Sequence, residues 1–470
     1  MGGLVNLLIP LGILFLIPIV PAIIYSEYQL VSAYAIPGAI VLVLGLLLRK
    51  KFPLSDNLSI VSAIMIASLG YLFLSAIGSL AFILTIGLSP IDAFFESING
   101  FTTCGMTLFS DIESLPMSLL FWRSITQWVG GVGIILFFTL LLGAGGIGTF
   151  RLYTFDGRDE KLTPSVRTTI REIYKIFGLL TALCMVALYL LGMSPFDAVN
   201  HALTAVSTGG ISTRTASIEA FQSPAIELAL CIFMTCGAIN FSLYYSFKNN
   251  GLKKIFKDAE MRILLGIIIL CGGITSVALI ITGYDLSPGI IKGYFNTICM
   301  ISTAGYSSLD FMTLPESIKA LFLILMVVGG CSGSTAGGMK IWRFLVLYKM
   351  TDNEVKKLAM PPITVRKIKI GGKVITEDYA IKVAAYFFVY IFAALLQFLI
   401  LSLFIPDLFG ALSLAISAQS NVGPAFYPVI GTNDAAKIVL IFGIWFGKLE
   451  FLPVLALLNR NLLRTLRQHT

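Results

Sequence analysis

The sequence predicts an all-α polytopic membrane protein in which four repeats of helix, re-entrant half-helix and helix surround one pseudo-fourfold axis, with two extra helices at the N-terminus. Three observations predict it. Of 470 residues 57% are hydrophobic and only 12% charged, about half the charged share of a soluble domain. Apolar runs of about twenty residues recur along the chain, for example at 4–24, 120–142, 263–281 and 386–405, each long enough to cross roughly 30 Å of hydrocarbon as a helix. Between the runs, one plan of segments repeats four times.

The run at 4–24 is too long for a signal-peptide core, has no basic leader and shows no distinctive cleavage site, so it reads as a retained helix. With a second helix at 31–48 it fills a leading segment, 1–52. The four repeats then occupy 53–150, 151–250, 251–350, with its second helix broken, and 351–470, which includes a cytoplasmic C-terminus.

The net charge of +8 would suit nucleic acid, but its distribution gives another reason. Of 33 Lys and Arg, 27 fall at 49–51, 151–175, 248–262, 340–382 and 460–467, alternating with loops that carry Asp111, Glu113, Glu219, Asp285, Asp310, Glu316 and Asp434. The positive-inside rule makes the five basic segments and both termini cytoplasmic. Seven cysteines sit in or beside apolar segments without metal-type spacing, and neither disulfides nor a bound metal or cofactor is expected.

Each repeat holds a short run after its first long one. The short runs begin Ser89-Pro90-Ile91-Asp92-Ala93, Ser194-Pro195-Phe196-Asp197-Ala198, Ser287-Pro288 and Pro406-Asp407. Ser as cap, Pro at the first helical position and an early carboxylate are the chemistry of a helix start. A helix from Pro90 to about Phe101 spans about 18 Å, too short to cross, so it must enter and return.

The turns that follow read Thr102-Thr103-Cys104-Gly105, Ser207-Thr208-Gly209-Gly210, Ser302-Thr303-Ala304-Gly305 and Ser420-Asn421-Val422-Gly423. Non-helical backbone at membrane depth survives only against protein or water, so four such turns must face one another. Half-helix C-termini, hydroxyls and carbonyls converging on one axis make a cation filter from a single chain. A glycine in each copy can take a positive φ that aims carbonyls inward, which favours K+ as the ion held at those sixteen residues.

With those residues in view, the chain resembles the TrkH/TrkG/KtrB superfamily of potassium transporters, its TrkH branch most closely, over essentially its whole length. The stretches that carry the resemblance are Glu96-Ser97-Ile98-Asn99-Gly100-Phe101-Thr102-Thr103-Cys104-Gly105, Trp122-Arg123-Ser124-Ile125-Thr126-Gln127-Trp128-Val129-Gly130-Gly131-Val132-Gly133, and Gly329-Gly330-Cys331-Ser332-Gly333-Ser334-Thr335-Ala336-Gly337-Gly338-Met339-Lys340. Asn421-Val422-Gly423-Pro424 and Gly447-Lys448-Leu449-Glu450-Phe451-Leu452-Pro453 complete it. The resemblance implies four units around one pore, a homodimer, and a cytoplasmic face that docks TrkA-like regulatory subunits binding nucleotides. No nucleotide-binding motif lies in this chain. Cys104, Met106, Ser420 and Lys448 depart from the branch's usual residues.

Five glycines and three hydroxyl side chains at 329–338 cannot form a stable helix, although a small-residue packing seam would use similar residues. The resemblance makes Gly330, Cys331, Ser332, Gly333, Ser334, Thr335, Ala336, Gly337 and Gly338 an intramembrane gate below the filter. Lys448, midway along the apolar run 435–457, needs a partner or a wet cavity. The loop carbonyls and Glu450 are its candidate partners, and snorkelling to the cytoplasmic interface is the alternative. Arg123, Gln127 and Trp128 read as an outer-interface anchor and inter-unit hydrogen-bonding group. Glu96, His201 and Asn296, each nine residues before a turn glycine, read as polar support behind the filter.

The resulting expectation is potassium uptake across the plasma (inner) membrane of a prokaryote, through ten spanning helices and four half-helices, with no enzymatic activity. The alternative is a K+ secondary symporter coupled to Na+ or H+, whose broken helices usually come in inverted repeats. Here every unit runs the same way.

Overall fold

The computed structural model describes residues 2–52, 60–131, 133, 166–250, 257–358 and 368–450. The chain starts with α1 (Gly2–Asn6), α2 (Leu8–Leu16) and α3 (Ile19–Ile24), one transmembrane course interrupted near Pro18, where ring nitrogens at 18 and 21 remove helical donors. It returns as α4 (Val31–Lys51), which packs along α2 and ends in Arg49, Lys50 and Lys51, cations at the negative end of a helix.

Unit 1 contains α5 (Ile60–Gly78), α6 (Leu80–Ile86), the half-helix α7 (Pro90–Thr102) and α8 (Met117–Gly131). Unit 2 contains α9 (Val166–Leu190), the half-helix α10 (Pro195–Val206), α11 (Pro224–Ala238) and α12 (Phe241–Asn250). Unit 3 has α13 (Ala259–Ile281), the half-helix α14 (Leu286–Ile301), α15 (Glu316–Val328) and α16 (Ile341–Lys357). A two-stranded hairpin, β1 (Ile368–Ile370) and β2 (Lys373–Ile375), leads to unit 4: α17 (Glu377–Leu401), the half-helix α18 (Leu408–Ser420) and α19 (Asp434–Lys448).

Among the described residues six helices are long and apolar enough to cross a membrane: the two N-terminal courses and the first helix of each unit, Ser68–Ile86, Thr168–Leu190, Ala259–Ile281 and Glu377–Leu401. These outer helices expose large apolar side chains such as Leu179, Val186, Ile269, Phe388 and Leu399, suited to lipid. The second helices are shorter, interrupted or polar, and they stand against the half-helices. One buried core joins units 2 and 3, and another joins the N-terminal helices to units 1 and 4.

Two half-helices start as the sequence predicts: Ser89 accepts from the Asp92 amide at 3.2 Å and Ser194 from the Asp197 amide at 3.0 Å. The other two differ. In unit 3 the helix starts after Asp285, so Ser287-Pro288 lie inside its first turn, and it runs 16 residues against 13, 12 and 13 elsewhere. In unit 4 Asp407 is the cap, accepting from Phe409 and Gly410 at 3.1 and 3.0 Å, and Pro406 precedes it. A carboxylate accepts those amides as well as a hydroxyl does. The hairpin at 368–375 adds a strand pair to an otherwise helical expectation. Its turn is Gly371-Gly372 with φ of 54° and 83°, the left-handed pair that two-residue hairpins require.

Of the expected run 120–142 residues 120–131 and 133 are described, and its remainder, the segments 151–165 and 359–367 and the C-terminal segment from 451 lie outside the described residues.

Candidate functional site

The four turns meet in cyclic order. A Cβ built on Gly105 would lie 2.9 Å from the Gly209 carbonyl oxygen and 3.1 Å from that of Val422. One on Gly210 would overlap the Ala304 carbonyl, one on Gly305 the Val422 carbonyl, and one on Gly423 would sit 2.5 Å from the Gly105 Cα. Each turn therefore touches its neighbour without room for a methyl group. The sixteen turn residues are buried apart from Gly105 and Gly305, which are half-buried.

Left-handed backbone falls at three of the four turn glycines, as the sequence predicts, and also at a position the sequence did not mark. Gly210, Gly305 and Gly423 have φ of 70°, 75° and 117°, but Gly105 is outside that region. The residue two positions earlier is left-handed in all four: Thr103, Thr208, Thr303 and Asn421, at 60°, 51°, 57° and 52°. That conformation is costly for β-branched threonine and must be held by its surroundings. The amides of Cys104, Gly209 and Val422 each donate to a carbonyl five residues back, closing the helix end over the strained residue at 3.0, 2.9 and 3.0 Å.

Side chains behind the turns fix the strand that leaves them. Glu96 accepts from the Leu108 amide at 2.6 Å, Asn296 from the Ser308 amide at 3.3 Å and Ser413 from the Phe426 amide at 2.9 Å, each amide three residues past a turn glycine. In unit 2, His201 Nε2 lies 2.9 Å from Ser212 Oγ. Ser413 is missed by the nine-residue spacing, which in unit 4 falls on Leu414. Gln127 bridges two turns: its amide nitrogen lies 2.8 Å from Gly209 O and 3.4 Å from Cys104 O, and its oxygen accepts from the Ile211 amide at 3.1 Å. Arg123 is not an interface anchor. It is 1% exposed, ion-paired to Glu96 at 3.3 Å and donating to Thr107 at 2.7 Å, partners that offset the cost of burying its charge.

Beneath the turns, α15 stops at Val328 and helix resumes at Ile341; Gly329, Gly333 and Gly338 are left-handed, as is Lys340. The intervening loop reaches three turns. Thr335 Oγ1 lies 3.1 Å from Thr208 Oγ1, the Gly337 amide donates to Thr303 Oγ1 at 2.6 Å, and the Gly338 amide donates to Ser420 O at 3.0 Å. Lys448 donates to the fourth, at Thr103 Oγ1, 3.0 Å away. Lys340 serves a loop carbonyl, that of Ala336, and Glu450 pairs with Arg343.

The second helix of unit 2 is also broken, at 239–240, which the sequence reading overlooks. Its freed Ala238 and Gly237 carbonyls accept from the loop amides of Cys331 and Thr335 at 2.9 and 3.1 Å, and the Phe241 amide returns a bond to Gly333 O at 3.2 Å. Asn240, a lone amide in an apolar run, caps the restart through Ser242 N at 2.8 Å and is the signal that could have found it.

Polar contacts lace the outer ends of neighbouring units: Lys437 with Asp92 at 2.5 Å, Glu113 with the Thr215 amide at 3.0 Å, and Lys292 with Glu219 at 3.4 Å. Among the described residues no group of three or more His, Cys, Asp or Glu is placed to hold a metal ion. What the site offers a cation is hydroxyl and carbonyl oxygen.

The family model TrkH, described as a cation transport protein, matches residues 55–462. An uncharacterized cation transporter of Methanocaldococcus jannaschii is 32% identical over 474 residues, covering 99% of this chain and 96% of its own. The Trk system potassium uptake protein TrkH of Halomonas elongata is 35% identical over 413 residues, 84% of each chain. The crystal structure of the potassium transporter TrkH from Vibrio parahaemolyticus superposes with a TM-score of 0.85 at 29% identity, over 97% of this chain and 99% of that one.

Proposed function

The chain belongs to the TrkH family of cation transport proteins, and from that premise we propose that it takes up K+ across the plasma (inner) membrane of a prokaryote, with both termini cytoplasmic. K+ sheds water at the four turns, where the residues 102–105, 207–210, 302–305 and 420–423 supply oxygen ligands. The observation that carries this reading is the closed ring of turns in which no glycine can accept a Cβ. Such a ring fixes its oxygens by backbone contact rather than by side-chain rotamers, which a selective site needs.

The loop 330–338 and Lys448 form the gate on the cytoplasmic side. They engage all four left-handed turns from below, so an ion leaving the ring inward meets the loop and an ammonium. Opening withdraws the loop. A homodimer with TrkA-like nucleotide-binding subunits on its basic cytoplasmic face supplies the control. No covalent chemistry belongs to this reading.

The test is the reversal potential of the purified protein in liposomes under independently set K+, Na+ and H+ gradients. Reversal that follows K+ alone supports the pore. A fixed dependence on Na+ or H+ replaces it with a coupled symporter.

A further inference from the structure

The loop is held at both ends by one oxygen. Glu260, in the first turn of α13 and 6% exposed, accepts through Oε1 from the Ser332 amide at 2.9 Å and from the Trp342 amide at 3.0 Å. Ser332 lies on the descending arm of the loop, and Trp342 in the first turn of the helix that leaves it. From these contacts we infer that Glu260 is the latch that pins the loop in its obstructing shape, a positioning residue for gating that rests on the reading of the loop as the gate.

Ten residues separate the two amides. In a continuous helix they would stand about 15 Å apart, and extended chain would separate them further, so no single atom could hold both. Only a folded-back loop brings them to one oxygen. Any withdrawal that straightens the segment must break at least one of these bonds, and bonds to a carboxylate are the stronger kind. The latch therefore favours the closed shape selectively, which is the condition for a contact to bias a two-state equilibrium.

The position of Glu260 adds to this. It lies in the basic segment 248–262, next to Asp258, whose side chain caps the same helix by accepting from the Met261 amide at 3.0 Å. The latch thus sits at the cytoplasmic end of α13 in the proposed orientation, where a soluble partner that tilts or shifts that helix would pull it away from the loop. The loop's anchors to the broken helix of unit 2 and to the turns at Thr303 and Ser420 lie on different elements. Releasing Glu260 removes the restraint that ties Ser332 to the start of α16 while the bonds to α11 stay in place.

The test uses the full chain in liposomes, with Glu260→Ala, Glu260→Gln, deletion of 332–337, and the deletion combined with Glu260→Ala. Passive Rb+ uptake, its inhibition by Na+, and deuterium uptake of peptides covering Ser332 and Trp342 are measured. Glu260→Ala should raise basal uptake about tenfold, equivalent to about 1.4 kcal/mol in the opening equilibrium. Glu260→Gln keeps an acceptor oxygen of the same reach without the charge and should raise uptake about threefold. In both, deuterium uptake at the two amides should quicken and Na+ inhibition stay unchanged. In the deletion background Glu260→Ala should add nothing. Where the alanine variant fails to fold, the glutamine variant carries the test. Unchanged exchange, or faster exchange with unchanged or reduced uptake, overturns the latch. Uptake that rises on deletion but not with either Glu260 variant removes Glu260 alone, whereas a deletion that leaves uptake unchanged removes the gate reading and the latch with it.

Discussion

Lys448 Nζ lies 3.0 Å from Thr103 Oγ1, so the last described helix of the chain is tied to the left-handed residue that ends the first half-helix. Thr103 accepts that bond while its own hydroxyl donates to Thr102 O at 2.6 Å. The ammonium thus helps hold a strained turn and places a positive charge beneath it.

The first prediction follows from that pair. Lys448→Met and Thr103→Val remove opposite ends of one hydrogen bond, so the double variant should not show the sum of the single effects. The expected coupling is about 1 kcal/mol, measured as a double-mutant cycle on Rb+ uptake. Lys448→Met alone should raise uptake severalfold. Strict additivity would separate the two residues.

Serine at Gly210 or Gly305 should weaken discrimination between K+ and Na+. A Cβ at either place meets a backbone carbonyl of the next turn, and both glycines have positive φ, so the ring must spread. Inhibition of Rb+ uptake by Na+ should strengthen at least severalfold in folded variants. Unchanged inhibition at both positions would sink the filter assignment.

Gln127→Leu should cost about 2 kcal/mol of stability and loosen selectivity together. The buried side chain serves carbonyls of two turns and one amide, and leucine leaves all three without that partner. Thermal unfolding in detergent and the same Na+ competition test it. Loss of stability with intact selectivity would make Gln127 only a packing residue.

Charge reversal at Lys356 and Lys357, together with Arg158, which lies outside the described residues, should weaken co-purification of a soluble regulatory protein. The two lysines pair with Asp352 and Glu354 on their own helix, at 2.7 Å each, and such exposed pairs contribute little to folding. A change in dependence on anionic lipid, with partner binding intact, would assign the charge to the membrane surface.

The outer clasp between units 1 and 2 should weaken in acid. Burial works against the charge of Glu113, but the Thr215 hydroxyl and amide, its own amide and Arg214 outweigh it and hold the carboxyl below its usual range. A depressed carboxyl contributes stability above its unfolded-state pKa and loses it as pH falls through the folded value. The difference in thermal stability between the wild type and Glu113→Gln should therefore shrink below about pH 4. A difference independent of pH would show that the carboxylate charge plays no part.

The repeated plan was legible because it rests on composition and helix-start chemistry, both local. Ser89 and Ser194 cap as written, whereas in unit 4 Asp407 caps instead and in unit 3 Asp285 stands at the cap position without a side-chain bond to the helix amides, a difference the first Pro in each run concealed. The family resemblance supplied the gating role of the loop, whereas the turn residues came from the repeat itself. It did not reveal that threonine two positions before the glycine is left-handed in three turns, since β-branched residues avoid that region and only tertiary contacts force it. The hairpin was readable from Ile-Lys-Ile around Gly371-Gly372. Glu260 was not, because its two partners are backbone amides that no side-chain pattern announces.

A ring closed by one polypeptide can break its own symmetry. Were four identical subunits to build it, each substitution would alter every quadrant at once, and anything attached below one turn would be attached below all. Here Thr103, Thr208, Thr303 and Asn421 share a backbone shape yet face an ammonium, a loop hydroxyl, a loop amide and, at 3.0 Å, the Ile444 carbonyl. Gene-level change can therefore tune the restraint under one quadrant while the others keep the geometry of the ring. Gating and selectivity become separately heritable traits of a single chain.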